Sequence, residues 1–379
     1  MSASSGPEIS NNGLVLLYDI ANTQKSWKGA PTTNLLAGTN VASWGGAGSA
    51  VTTANAAIAP DGTMTATKIV LGAYSGGDSI GVAVTGVIGQ IYTHSAWMRA
   101  DTNVTAGISI GRVSGNPAVS QSVSLTTTWK RFSVSWTLDT NTGLYSNYYG
   151  QNCTIYVWMP QLEANSFATP LVNGTRSNTQ ALLDATGNNT LTASNLVYAS
   201  TGTFSFNGTS SKITTATLPY QFLTTGFTLS IVLNYTQTTT NDNVISWGGS
   251  AFNITGYAWE LRIRGAGAVE FSPGIGPGGS GVPIRTSYTP SAALNGRVVF
   301  LDITYVANGM ASIYENGILR ATNNYSGVGT NAATNALTIG QGTDTYFPGT
   351  IHQVKLYNTV LTAAEVQQNF NATRSRYGV

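Results

Sequence analysis

Apolar and polar residues alternate one by one through long stretches of this chain. Phe227, Leu229, Ile231, Leu233 and Tyr235 are interleaved with Thr228, Ser230, Val232, Asn234 and Thr236. Phe132, Val134, Trp136 and Leu138 are interleaved with Arg131, Ser133, Ser135 and Thr137. A period of two is that of a strand with one face buried. Residues 311–315 and 318–322 flank Asn316-Gly317, the signature of a type I′ hairpin. One stretch reads as helix, residues 362–370. Thr362 and Glu365 have the spacing of a capping box, and Leu361 and Val366 that of a hydrophobic staple. Short strands, glycine-rich turns and a single terminal helix predict an all-β chain of β-sandwich or jelly-roll domains.

Composition supports this and excludes several functions. The chain has 379 residues, enough for more than one domain. Charged residues make up 8% and hydrophobic ones 42%, so a core can be buried while the surface is built from Thr, Ser, Asn, Gln and Gly. A disordered chain would combine low hydrophobicity with high charge. The net charge of +2 and the lack of a Lys/Arg cluster argue against nucleic acid as a partner. Cys153 is the single cysteine, so no intrachain disulfide forms, and the thiol reads as buried and structural. The first eight residues lack the basic and apolar regions of a secretory signal, and no apolar run approaches the ~20 residues of a membrane span. Assembly in a cytoplasm is the expectation, and triplets such as Asn207-Gly-Thr and Asn234-Tyr-Thr read as chance matches to a glycosylation pattern.

Two blocks carry family resemblances. The first contains Thr33-Asn-Leu-Leu36, Trp44, Ala59-Pro-Asp-Gly-Thr-Met-Thr-Ala-Thr-Lys68 and His94-Ser-Ala-Trp-Met-Arg-Ala100. It closes with Thr128-Trp-Lys-Arg-Phe132, Ile155-Tyr-Val-Trp-Met-Pro-Gln-Leu-Glu163 and Ala168-Thr-Pro170. This block resembles a carbohydrate-binding-module-like jelly roll of a pattern that recurs in phage tail-fibre and virion-surface proteins. The second contains Phe204-Ser-Phe-Asn-Gly-Thr-Ser-Ser-Lys-Ile213, Ser312-Ile-Tyr-Glu-Asn-Gly317, Leu337-Thr-Ile-Gly340 and the terminal strand and helix. It resembles the laminin-G-like, concanavalin A-type jelly rolls.

Residues 13–27 resemble the opening strand of phage laminin-G-like domains. In those domains the strand runs on into a segment like Leu183-Asp-Ala-Thr-Gly-Asn-Asn189, which here stands about 155 residues later. The expected organisation is therefore nested. Residues 8–30 plus 176–379 form a split laminin-G-like domain, and residues 31–175 form the jelly roll inserted into it. Surface loops tolerate such insertions because closure entropy grows slowly with length.

The chemistry expected is binding. Concanavalin A-type folds include glucanases that carry acidic residues two apart on one strand face, and no such pair occurs here. Glu260 and Glu270 stand ten apart, and His94 and His352 read as structural, so the chain is not expected to be an enzyme. Domains of these kinds often hold Ca²⁺, with Asp19, Asp184, Asp242 and Asp344 as candidate donors. Asn207 replaces the acidic residue usual in its motif, carboxylates are sparse, and no metal ligands or other cofactor are assigned. For glycans, aromatic rings offer faces to sugar C–H bonds. Trp97, Trp136 and Trp158 lie in strand-like runs and read as packing residues. The candidates are those placed in polar turns: Tyr145, Tyr148 and Tyr149, with Tyr74, Trp247 and Tyr346. The segment 271–282, rich in glycine and proline, reads as a loop.

The resemblance implies a structural protein displayed on a bacteriophage virion as a capsid decoration, collar or tail-fibre component, with host-surface glycan binding. Its partners would be other virion proteins, host polysaccharide and further copies of itself, with no nucleic acid and no membrane insertion. It would sit on the virion surface after assembly in the host cytoplasm. The alternatives are a free-standing carbohydrate-binding adhesin and a polysaccharide depolymerase.

Overall fold

The computed structural model describes residues 8–73, 78–113, 119–248, 259–265, 267–273, 285–326, 335–342 and 345–379. The chain is mostly β, and it divides into two compact units. One comprises Met1–Gly29, Asn178–Ala199 and Thr203–Val379; the other comprises Ala30–Ser177 with Ser200–Gly202.

The first unit is a sandwich of two antiparallel sheets. The larger runs in the order Val197–Tyr198, Phe204–Asn207, Pro348–Tyr357, Phe227–Tyr235, Val298–Tyr305, Met310–Glu315, Ile318–Asn324. The strand Leu14–Asp19 also pairs with Pro348–Tyr357, Leu17 lying opposite Lys355. The smaller sheet runs Leu191–Ser194, Lys212–Thr217, Ala336–Ile339, Asp242–Trp247, Trp259–Ile263, Val269–Ser272, Thr286–Tyr288. Leu229, Ile231 and Leu233 from one sheet meet Ile245, Leu261 and Ile339 from the other in a single core. Alternation along Phe227–Tyr235 sends Val232 the other way, where it packs with Phe300 against Phe370. Phe370 belongs to the helix Ala363–Thr373, which begins at the predicted capping box. The Thr362 side chain accepts from the Glu365 N–H, and the Glu365 carboxylate accepts from the Thr362 N–H at 2.8 Å. Leu361 and Val366 pack together with Tyr314 and Tyr357. The helix therefore covers the outer face of the larger sheet, and the strand beneath it is buried on both sides.

Asn316 and Gly317 both have positive φ, 52° and 76°, as a type I′ turn requires, and they join Met310–Glu315 to Ile318–Asn324. In the Phe-Asn-Gly segment the Asn207 Oδ1 accepts from the N–H groups of Thr209, Ser210 and Ser211 at 2.8–3.0 Å. An amide oxygen organises this turn without a carboxylate. Two single-turn helices, Asn178–Ala181 and Phe222–Thr225, were not foreseen from the sequence.

The second unit packs two five-stranded antiparallel sheets face to face. One runs Lys130–Thr137, Ile91–Ala100, Cys153–Glu163, Ala66–Leu71, Val51–Ala57. The other runs Gly45–Ala47, Asp78–Thr85, Gly143–Gly150, Val104–Arg112, Val119–Leu125. Ile69, Met98 and Ile155 meet Ile108, Ile110 and Leu144 in its core. Cys153 lies there as a free buried thiol, with its pKa raised by burial.

Two of the motifs read from the sequence explain each other here. Asn34 Oδ1 accepts from the N–H groups of Leu36 and Leu162, both at 3.0 Å. The same Leu162 carbonyl accepts from Leu35 N–H at 2.8 Å. Glu163, the last residue of Gln-Leu-Glu, accepts from Thr169 N–H at 2.8 Å, Thr169 Oγ1 at 2.8 Å and Gln161 Nε2 at 2.7 Å. This buried carboxylate is satisfied by the loop that follows it, so the motif closes the jelly roll.

Candidate functional site

The second unit carries the most site-like face, on the sheet containing Gly143–Gly150. The stretch 145–149 is a strand and not the polar turn read from the sequence. Leu144, Ser146 and Tyr148 point inward and Tyr145, Asn147 and Tyr149 point outward, as the pleat requires. Tyr148 is fully buried. Its hydroxyl pairs with His94 Nε2 at 3.1 Å, and its ring stacks on Trp44 with centroids 5.7 Å apart. It has no face to offer a sugar, which corrects one of the six candidates.

Tyr145 and Tyr149 are half-buried, and the cause lies in their neighbours. Tyr145 faces Ala83 on one side and Gly111 on the other, and Tyr149 faces Ser79 and Gly107. A Cβ built at Gly107 would stand 1.9 Å from Tyr149 Cζ, and one at Gly81 would stand 2.3 Å from the Tyr145 hydroxyl. The two rings thus lie over glycine backbone, each with one side against the sheet. Asn147 stands between them and is bonded to Ser109. Ser109 faces Ser120, and Gly107 faces Ser122, so the row continues in small polar residues. The Cα atoms of residues four apart on a strand are roughly 13 Å apart along it, so the two tyrosines are anchored at a spacing of more than one sugar ring. Asn147 and Ser109 are buried between the rings, and Ser120 and Ser122 are exposed, so such a face can take a sugar chain by stacking, with the serine hydroxyls at its edge reading the sugar's own.

The other candidates are placed differently. Trp247 is fully buried in the core of the first unit, edge-on to Phe222, with its indole N–H donating to the Asn335 carbonyl at 3.1 Å. Its glycine-rich surroundings in the sequence mark the end of a core strand, and it too is corrected. Tyr346 is half-buried and bridges to Gln341. Tyr74 lies outside the described residues, as do Asp344 and residues 274–282 of the loop segment; Phe271 belongs to the strand Val269–Ser272.

Three of the four candidate Ca²⁺ donors, Asp184, Asp242 and Asp19, are bonded within the protein itself. Asp184 accepts from Leu17 N–H, Thr186 N–H and Oγ1, and Asn189 N–H and Nδ2, at 2.7–3.1 Å. Asp242 accepts from the hydroxyls of Tyr235 and Thr238. Asp19 accepts from Gln353 Nε2, Arg376 and the Tyr377 hydroxyl. No group of three or more His, Cys, Asp or Glu suited to a metal occurs among the described residues. Glu260 and Glu270 are brought onto adjacent strands, where both meet Arg262. Glu270 also pairs with Arg264 at 3.3 Å and Arg285 at 3.5 Å. Three guanidinium groups on one buried carboxylate make it a charge-compensated anchor.

A family model described as the concanavalin A-like lectin/glucanases superfamily matches residues 207–367. No curated protein matches the chain. Among solved structures, the chain is similar to the receptor-binding domain of botulinum neurotoxin D, at 14% identity and a TM-score of 0.39 over 52% of this chain and 50% of that one. It is similar too to the binding domain of botulinum neurotoxin DC, solved in complex with SialylT and with rat synaptotagmin II. Those two matches have 15% identity, TM-scores of 0.40 and 0.39, and the same coverages of 52% and 50%. The chain spans about half the length of each of these domains.

Proposed function

We propose that this chain is a glycan-binding structural protein displayed on the surface of a bacteriophage particle. The observation that carries the binding is the pair Tyr145 and Tyr149, laid over Gly81 and Gly107 with Asn147 between them. The phage setting rests on the sequence resemblance of both blocks. In this reading the chain works without catalysis, as a capsid decoration, collar or tail-fibre component. Weak sites repeated on many copies around a particle would act together through effective concentration.

The test has three arms. Purified protein on a glycan array should bind polysaccharide, and the double variant Tyr145→Ala, Tyr149→Ala should lose at least about tenfold in affinity; in the analogous case of a nucleobase stacked on an aromatic side chain the loss runs at ~1–3 kcal/mol per ring. The protein should co-sediment with phage particles at fixed stoichiometry. Glycan binding without particle association would leave the free-standing adhesin. Release of reducing ends from a host polysaccharide, lost on Glu260→Gln or Glu270→Gln, would establish a depolymerase instead.

A further inference from the structure

The Pro-Asp-Gly-Thr motif has no part in the tyrosine face, yet it lines a cavity of about 450 Å³ in the same unit. Thr63 and Thr65, in the turn before the strand Ala66–Leu71, and Thr67 within it line one wall. Thr63 Oγ1 donates to Asp61 Oδ1 at 2.7 Å and lies 2.7 Å from Thr65 Oγ1, which accepts from the Trp158 indole N–H at 3.0 Å. The wall is thus a row of hydroxyls strung between a carboxylate and an indole. Met159 and Pro160 supply an apolar patch, and Asn40 and Asn173 add amides to the lining.

Two of the lining residues are held in left-handed backbone: Asn55 at φ 54° and Met159 at φ 48°. Met159 stands at the bulge where the pairing of Cys153–Glu163 with Ile91–Ala100 shifts between Trp158 and Gln161. A left-handed methionine is costly and recurs at sites where a strand must re-aim its side chains. Asp61 is the one charged residue among the described residues that line the cavity, and its hydrogen bonds from Thr63 hold its pKa below the ordinary carboxylate value.

We infer that this cavity is a second saccharide site, shaped for an uncharged mono- or disaccharide unit, and separate from the tyrosine face. Hydroxyls and amides that both give and accept hydrogen bonds match a polyol, and the apolar patch matches a sugar's C–H face. The volume is in the range of small-ligand pockets. A lone carboxylate, with no cation among the described residues that line the cavity, disfavours sialic and uronic acids, phosphates and nucleic acid.

The experiment is calorimetric titration of the full chain with maltose, cellobiose, lactose and diacetylchitobiose, with 3′-sialyllactose as the anionic control. At least one neutral sugar should bind, and sialyllactose should bind at least about tenfold more weakly. Asn173→Trp, at an exposed residue on the cavity mouth, should abolish that binding. Asp61→Asn, which keeps the oxygen that accepts from Thr63, should weaken it. Tyr145→Ala with Tyr149→Ala should leave it unchanged. Met159→Gly, which removes part of the apolar patch, should reduce affinity. The inference is overturned if none of the four neutral sugars binds, if binding survives Asn173→Trp, if the tyrosine variant removes it, or if sialyllactose binds as tightly.

Discussion

At the scale of single residues, burial sets the chemistry. His94 is fully buried, with Nδ1 3.0 Å from the Ser109 carbonyl and Nε2 3.1 Å from the Tyr148 hydroxyl. Burial pushes its pKa down to about 4, from the ordinary histidine value of about 6.5. The unfolded chain therefore takes up a proton that the folded one refuses between these values. The stability contributed by neutral His94 is complete above pH 6.5 and lost as pH falls toward 4, by up to about 3 kcal/mol. Denaturant titrations at pH 7.5 and 4.5 should show this loss for the unit containing His94, and His94→Gln should flatten it. In the other unit, Ser230 lies between Asp302 and Lys355 on the strands to either side, and all three are buried under the C-terminal helix. Burial raises Asp302 to about 6 and lowers Lys355 to about 8. Between those values both are charged inside the protein, and buried charges of this kind are costly. The double variant Asp302→Asn, Lys355→Met should be at least as stable as the native protein at pH 7, read as the urea midpoint of that unit. Trp247 and Tyr148 show the limit of reading single residues: each sits among polar or small neighbours in sequence, and only strand register reveals which way its ring points.

At the scale of elements, the terminal helix and the tyrosine strand make opposite points. The start of the helix is written locally: its cap and its staple lie within a few residues of one another, so its start at Thr362 was legible. Thr362→Ala removes the cap and should lower the stability of that unit by about 1 kcal/mol, seen as a melting-temperature drop of ~2–4 °C. The tyrosine strand is not written locally. Residues 144–150 are polar and aromatic in the manner of a turn, and what makes them a strand is pairing with Asp78–Thr85 and Val104–Arg112 on either side. The glycines that give the rings room come from those two neighbours, roughly forty and sixty-five positions away by the numbering. Gly107→Ala should displace the Tyr149 ring and reduce polysaccharide affinity while leaving the circular dichroism spectrum of the fold unchanged. A loss of binding without a folding defect is the outcome that separates this face from a merely structural pair of tyrosines.

At the scale of the whole chain, the pairing of Leu14–Asp19 with Pro348–Tyr357 joins the two ends of the sequence in one sheet. Val15, Leu16, Tyr18 and Trp27 enter the same core as Ile231 and Val354. Without the N-terminal strand that core loses several large side chains and Pro348–Tyr357 gains an open edge over much of its length, a template for pairing with other molecules. The fragment 174–379 should therefore aggregate, and adding residues 8–30 as a separate peptide should reduce the aggregation. A monodisperse, cooperatively unfolding fragment 174–379 would count against the nested organisation. By itself the sequence determined the all-β class, the hairpin at Asn316-Gly317 and the capped terminal helix, because alternation, turn chemistry and capping act over a few neighbouring residues. The tertiary structure alone decided that Tyr145 and Tyr149 share a glycine-backed face, that Trp247 and Tyr148 are core, and that Asp61, Thr63 and Thr65 line a cavity with Trp158. Those facts depend on which strand lies beside which, and that is set by contacts between residues far apart in the chain.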